Sequence, residues 1–190
     1  MMKTWENWCF GLRDGILGVS DAELRRAAEV VLRSDLVLVA GNGGSSALAS
    51  HAAQAFAKPS YGPGGGRAAV CLSDNVPLLT SHANDGGWED ALVECARPYV
   101  HAVRLVSLVV FSSSGKSENV VRLVRLFRDR FLPVVAFTGF EGEPLRSLAS
   151  VSLHVDSDDY EVVEPVHDAL LHRVQYHVRE AGQECGRGSP

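Results

Sequence analysis

Residues 36–45 of this 190-residue chain read LVLVAGNGGS, and this stretch decides the fold. The five apolar residues 36–40 predict a strand that is covered on both faces, and the small residues 41–45 predict a tight turn into an Ala-rich helix over 45–57. A strand, a glycine-rich turn and a helix start bring free backbone N–H groups and the positive end of a helix dipole to one place. The stretch therefore predicts an anion site, best suited to a phosphate.

A second stretch of the same kind lies further along the chain. Residues 105–111 read LVSLVVF, and SSSGKS follows at 112–117, before a helical pattern over 117–129. One such loop alone is explained by ordinary turn chemistry, because small residues are common where a strand turns into a helix. Two such loops in one short chain favour a phosphorylated small molecule as the ligand.

Five apolar runs alternate with helical patterns along the chain. This alternation predicts an α/β fold, a doubly wound five-stranded parallel sheet flanked by helices. In such sheets ligands bind beyond the carboxyl ends of the strands, where both loops lie. The predicted strands are 35–40, 68–72, 105–111, 132–138 and 151–155, and the predicted helices are 22–33 with Asp21 as N-cap, 45–57, 87–103, 117–129 and 164–180.

The length of the chain predicts one domain over residues 1–180, followed by a flexible tail over 181–190. The Gly- and Pro-rich segment 58–67 is expected to be a mobile loop. Residues 3–18 read as an amphipathic helix with more aromatic side chains than a free surface carries. We therefore expect this helix to pack on a neighbouring subunit.

Composition argues against several kinds of partner. The formal net charge of −5 gives no basic footprint for nucleic acid. The longest apolar runs are too short to span a bilayer, and the N-terminus lacks the apolar core of a signal peptide. The four cysteines are widely spaced without a CxxC pair, as in reduced proteins. We expect a cytoplasmic protein with no nucleic-acid and no membrane partner.

Residues suited to acid–base chemistry form a stripe on the last predicted helix. Glu164, Asp168, His172 and Gln175 fall within roughly 80° of one another around the helix axis, beside an apolar core face. A solvated stripe, an acid–base pair and a shared divalent metal all fit this pattern. The residues alone leave the three interpretations open.

Two further sites are ambiguous when taken singly. His51 lies about two turns into the helix after the first loop, where a histidine commonly fills a helix interface. Asn84 and Asp85 precede the predicted helix 87–103, so Asp85 is explained as a cap, although both side chains also suit sugar hydroxyls.

Together these segments resemble sugar isomerase (SIS) domains, and among them the phosphoheptose isomerases. The resemblance covers roughly residues 20–180 and includes, in order, both loops, His51, 72–74, Asn84-Asp85 and 137–139. It implies a five-stranded parallel sheet, a homotetramer with active sites between subunits, and interconversion of sedoheptulose 7-phosphate with a heptose 7-phosphate. It also implies that a sugar phosphate is held by Asn42, Gly43, Ser45, Asn84, Asp85, Ser112, Ser113, Ser114 and Ser117.

The chain departs from the family pattern at the catalytic base. His51 and His172 match two family histidines at the metal and acid–base site, which implies zinc as the candidate cofactor. Four residues after the first histidine the family has a glutamate that serves as base and metal ligand, and this chain has Ala55. Glu164 stands where the family has a glutamine, and Glu161 where it has an aspartate.

An aldose–ketose isomerase needs a base and an acid, so another carboxylate has to replace the missing glutamate. We predict that Glu164 is this base, with His172 as its acid partner or as a metal ligand. The metal ligands predicted on this basis are His51, Glu164 and His172.

The predicted function is a phosphosugar aldose–ketose isomerase acting on a long-chain ketose phosphate similar to sedoheptulose 7-phosphate. The alternative is a non-catalytic SIS scaffold, similar to the tetrameric proteins that bind the bacterial replication initiator DnaA. That subgroup also lacks the glutamate after the first histidine, which favours the alternative. The retained His172 and the new Glu164 favour the enzyme.

Overall fold

The computed structural model describes residues 4–58 and 66–187. Within them the chain forms a parallel sheet in the order β2-β1-β3-β4-β5, with helices on both faces. This confirms the predicted doubly wound fold, and each predicted strand is found within two residues of its expected bounds. The elements in chain order are α1 (Trp5–Gly18), α2 (Asp21–Leu32), β1 (Leu36–Gly41), α3 (Gly44–Ala57), β2 (Ala68–Cys71), α4 (Val76–Gly86), α5 (Trp88–Ala102), β3 (Val106–Ser112), α6 (Glu118–Arg128), β4 (Val134–Thr138), α7 (Leu145–Leu148), β5 (Val151–His154) and α8 (Tyr160–Arg187).

The sheet separates two apolar cores, because successive side chains of a strand point to opposite faces. On β1, Val37 and Val39 belong to the core that includes α2, α3 and α8, whereas Leu36 and Leu38 belong to the core that includes α5 and α6. Every residue of β1, β3 and β4 is buried. Burial on both faces explains why these strands are continuous apolar runs in the sequence.

Ser20 caps α2, so the predicted cap at Asp21 is wrong. The Ser20 hydroxyl accepts a hydrogen bond from the Glu23 N–H, and the Glu23 carboxylate accepts one from the Ser20 N–H. Asp21 instead accepts a hydrogen bond from Arg173 and lies 2.9 Å from His177 Nε2, both on α8. The hydrogen bond from Arg173 is the main cause that lowers the pKa of Asp21 to about 2.

The N-terminal helix α1 packs on α8 at a proline. Pro165 lies in the interior of α8 and has no N–H, so the carbonyl of Glu161, four residues earlier, lacks its usual helical donor. The indole Nε1–H of Trp8 donates to this carbonyl at 2.9 Å. The predicted N-terminal helix is therefore present, and Trp8 is used for packing within the chain.

Two helices, α4 and α7, were not predicted from the sequence. The start of α4 carried a signal, because Asn75 caps it with its side chain and Pro77 lies in its first turn. The expected mobile loop 58–67 falls largely on residues 59–65, outside the described residues. Helix α8 continues to Arg187, and the last three residues of the expected tail 181–190 lie outside the described residues. None of the helices in the described ranges is both long and apolar enough to cross a membrane.

Candidate functional site

The two loops lie side by side at the carboxyl edge of the sheet. β1 and β3 are neighbours and pair in parallel register, from Leu36 with Val106 to Gly41 with Phe111. β2 pairs with the other edge of β1, and β4 with the other edge of β3, so the strand order reverses between the two loops. Ligand crevices of doubly wound sheets form at this point.

Glycines set the shape of the first loop. Gly43 has a φ of 54° and is the N-cap of α3 without a side-chain capping bond. A Cβ added to Gly41 would lie 2.5 Å from the Ser45 carbonyl oxygen, and one added to Gly44 would lie 2.8 Å from Glu164 Oε2. The Glu164 carboxylate therefore rests against the start of α3, where the helix dipole favours a negative charge.

The second loop offers hydroxyl and backbone donors. Ser117 is the N-cap of α6, yet its hydroxyl makes no capping hydrogen bond. Gly115 has a φ of 69° and lies so close to the backbone of Gly142 that no side chain fits. The Ser113 hydroxyl is buried and has no hydrogen-bond partner among the described residues. Since an unpaired buried hydroxyl is costly, this loop is well suited to an anion that accepts hydrogen bonds.

A pair of asparagines joins the two loops. Asn42 Nδ2 donates to Asn119 Oδ1 at 2.9 Å, and Asn119 Nδ2 donates to Asn42 Oδ1 at 2.9 Å. Asn119 is 1% exposed, and its Oδ1 also accepts the N–H of Val120 in the first turn of α6. Asn119 was not predicted as a site residue, because its role depends on a contact between residues 77 positions apart.

A second group of polar side chains lies between α3 and α8. His51 from α3 and Asp168 and His172 from α8 have ligand atoms within 4.8 Å of one another. The two imidazole centroids are 5.3 Å apart, and His172 Nε2 lies 3.9 Å from Asp168 Oδ1. His51 and His172 line a cavity of about 510 Å³, together with Ala55 and the cation Lys58. Two imidazoles and a carboxylate suit a divalent transition metal or acid–base chemistry.

Glu164 lies outside this group of three, although it was predicted as a ligand with the two histidines. It precedes His172 by eight residues, which is about 12 Å along the helix axis. Its carboxylate contacts Gly44 at the first loop. The carboxylate that the fold places beside both histidines is Asp168, which lies on the predicted stripe midway between Glu164 and His172.

His167 is one of two buried histidines in the described part of α8, and His177 is the other. His167 is 1% exposed and lies near the rings of Phe111 and Phe137, at 6.3 and 5.9 Å between centroids. Burial lowers the pKa of His167 to about 4, so the ring is neutral at physiological pH. It belongs to the core under the sheet and not to the exposed histidine pair.

Asn84 and Asp85 lie in the last turn of α4 and do not cap α5, whose N-cap is Gly87. Both side chains are exposed, and the Asn84 amide donates to the Asp85 carboxylate at 3.1 Å. Among the described residues neither side chain hydrogen-bonds to the two loops. Their predicted contact with a sugar therefore stays a prediction.

Several known proteins are similar to this chain. No protein-family model matches it. The phosphoheptose isomerase of Burkholderia pseudomallei is 32% identical over 157 residues, which cover 80% of this chain and 79% of that protein. The lincomycin biosynthesis protein LmbN of Streptomyces lincolnensis is 35% identical over 140 residues, 70% of this chain, and the match spans half the length of LmbN.

A solved structure shows the same architecture. The phosphoheptose isomerase of Neisseria gonorrhoeae superposes with a TM-score of 0.81 at 26% identity, over 93% of this chain and 95% of that chain. The sequence match and the superposition both extend over the two loops and the parallel sheet that carries them. This chain therefore belongs to the phosphoheptose isomerase family of phosphosugar isomerases, which is built on the SIS fold.

Proposed function

We propose that the chain interconverts a long-chain ketose phosphate, similar to sedoheptulose 7-phosphate, with the corresponding aldose phosphate. The observation that carries this proposal is the placement of Glu164, whose carboxylate lies against Gly44 of the first loop. The exposed His51 and His172 lie further along the same pair of helices. A carboxylate beside an anion loop and a histidine pair in the adjoining cleft are the groups that an aldose–ketose isomerisation requires.

The phosphate binds at the second loop in this proposal. Ser117 has an unused hydroxyl at the start of α6, and the Ser113 hydroxyl lacks a partner within the described residues. The first backbone N–H groups of α6 lie at the same loop, so the phosphate meets several neutral donors and a helix dipole. The residues proposed to hold the phosphate and the sugar are Asn42, Gly43, Ser45, Asn84, Asp85, Ser112, Ser113, Ser114 and Ser117.

Glu164 is proposed as the base that moves a proton between the first two carbons. In the structure its carboxylate contacts Gly44, so proton transfer requires the side chain to rotate towards His172. His172 acts on the neighbouring oxygen, either as the acid or as the ligand of a metal ion. The methyl group of Ala55 leaves room in the cavity beside the histidines.

Zinc is the proposed cofactor, with His51 and His172 among its ligands. Two imidazoles and a carboxylate within 4.8 Å of one another fit the donor set that zinc prefers. When bound, a zinc ion supplies positive charge where negative charge develops on the sugar oxygen.

A cytoplasmic homotetramer is the proposed assembly. Large apolar side chains of α1 face solvent in the isolated chain, with Trp5 73% and Leu17 74% exposed. A second copy that covers them would remove this apolar surface from water. Light scattering should then give about 82 kDa, four times the 20.5 kDa chain, and a value near 20 kDa would contradict the tetramer.

The direct test incubates the purified chain with sedoheptulose 7-phosphate, with and without zinc, and follows aldose formation. Ketose phosphates of five to eight carbons should be compared, because the proposed phosphate loop would bind the group that all of them share. Aldose formation from at least one of them supports the proposal. Binding without turnover of any would favour the scaffold alternative, which Ala55 supports by removing the usual glutamate.

A further inference from the structure

We infer that Asp168, rather than Glu164, completes a three-ligand site for zinc or a similar divalent transition metal with His51 and His172. The inference rests on the proposed function only in placing the ion in the same cleft. These three side chains come from two helices, and the fold places their ligand atoms within 4.8 Å of one another.

The geometry of the group is close to that of a metal site. Zinc–ligand bonds of about 2.0–2.1 Å place the ligand atoms of a tetrahedral site about 3.3 Å apart. His172 Nε2 and Asp168 Oδ1 are already 3.9 Å apart. Their side chains are 58% and 51% exposed, so small rotations bring the atoms to bonding distance without repacking the core. Three protein ligands is also the number found in catalytic zinc sites.

The helical spacing explains how a carboxylate replaces the one missing at Ala55. Asp168 precedes His172 by one helical turn, so the two side chains lie one above the other on the same face of α8. His51 reaches the same point from α3. The ligand that α3 lacks at position 55 is therefore supplied from α8, and Glu164, whose carboxylate lies against Gly44, remains available as a base.

The cavity beside the group also carries three cations, Lys58, Arg173 and Arg179, of which Arg179 lies 5.7 Å from the centre of the Tyr176 ring. Arg173, on the cavity wall, donates to Asp21 at 3.0 Å, and its guanidinium lies 4.6 Å from the centre of the Tyr176 ring. Its charge is thus directed at partners outside the group. Asp168 contributes the one formal negative charge of the group and offsets part of the charge of a divalent ion.

The test measures zinc binding by calorimetry, and cobalt binding by visible absorption, with untagged protein in the absence of sugar. We expect one metal ion per chain and the intense visible bands of four-coordinate cobalt. Asp168→Asn should weaken zinc binding at least about tenfold. The matched control Glu164→Ala, which removes a carboxylate from the same stripe, should bind zinc like the parent. His101→Asn, an exposed histidine elsewhere, should also bind zinc like the parent.

A second variant tests the inference if circular dichroism shows that Asp168→Asn is poorly folded. Ala55→Glu in the Asp168→Asn background should restore zinc affinity, because it returns a carboxylate to the cavity one turn from His51. Equal zinc affinity of the parent and Asp168→Asn would overturn the inference, as would a loss of zinc affinity in Glu164→Ala as large as in Asp168→Asn. Isomerisation plays no part in these readouts. An inactive chain that binds zinc through Asp168 would contradict the proposed function alone, and an active chain without zinc binding would contradict this inference alone.

Discussion

Asn42 and Asn119 exchange two side-chain hydrogen bonds of 2.9 Å and so fix the first loop to the start of α6. Each amide offers its carbonyl to the other's NH₂ group, because an asparagine side chain carries both an acceptor and a donor. Because Asn119 is 1% exposed, these bonds are shielded from water. The relative position of the two loops therefore depends on this pair.

Asn119→Ala should lower the free energy of unfolding by about 1–3 kcal/mol, because it leaves the Asn42 amide with unmade hydrogen bonds. It should also weaken binding of sedoheptulose 7-phosphate, measured by calorimetry. Asn7→Ala, at an exposed position on α1, is the control and should change neither quantity. Adding Asn42→Ala to Asn119→Ala should lower the free energy of unfolding little further, since the two residues act as a pair. Fully additive losses of unfolding free energy would contradict the pairing.

Replacing Ser112 and Ser114 together by alanine should weaken sugar-phosphate binding by about 1–3 kcal/mol, the scale of hydrogen bonds to a charged group. Calorimetry with the parent and the double variant measures this difference. Ser81→Ala, an exposed serine of α4, is the control. If the double variant binds the sugar phosphate as tightly as the parent, this loop is not the phosphate site.

The buried His167 should make the fold sensitive to acid. Its pKa is about 4 in the folded chain, below the ordinary value of 6.5, because burial disfavours the charged ring. The unfolded chain therefore binds a proton at higher pH than the folded chain. Stability is fully present above pH 6.5 and declines as the pH falls towards 4, by about 3 kcal/mol in total.

The variant that checks this dependence is His167→Met, which removes the titrating group and keeps a side chain able to fill the core. Urea unfolding at pH 7 and at pH 4.5 should show a smaller loss of stability for the variant than for the parent. Asp21, with a pKa of about 2, loses its contribution at lower pH, between about 4 and 2, so it does not obscure this window. Equal losses of stability in the parent and the variant between pH 7 and pH 4.5 would contradict the assignment of this acid sensitivity to His167.

Glu164→Gln should retain sugar-phosphate binding and lower turnover by about two orders of magnitude or more, the usual scale for loss of a positioned base. Glu164→Asp should also be impaired, because a side chain shorter by one methylene has less reach towards His172. Ala55→Glu in the Glu164→Gln background should restore part of the activity by supplying a carboxylate beside the histidines. Turnover of Glu164→Gln at the parent rate would show that another group is the base.

The fold was predictable because its signals are local. The runs 36–40 and 105–111 lie in buried central strands and are followed by small-residue turns, so the strand–loop–helix units were found within two residues. The N-cap of α2 was wrongly predicted at Asp21, because Ser20 and Glu23 form the capping box that caps this helix.

The site was less predictable because it depends on contacts between distant segments. Asn119 pairs with Asn42 across 77 positions, and Asp168 meets His51 only when α3 and α8 pack together. The stripe on α8 was predicted to border the core, and Glu164 and Asp168 are half-buried there, whereas His172 is exposed. Periodicity on one helix could not tell which carboxylate, Glu164 or Asp168, lies beside the histidine of another helix.

The most direct test of the proposed isomerisation follows solvent deuterium during the reaction of sedoheptulose 7-phosphate in D₂O. A side-chain base that removes a proton from the first carbon exchanges it with solvent, so NMR should detect deuterium at the second carbon of the aldose product. The parent chain should form this labelled aldose, and Glu164→Gln should form it at least about a hundredfold more slowly. An absence of any aldose from the parent, while sedoheptulose 7-phosphate still binds, would contradict the enzyme assignment.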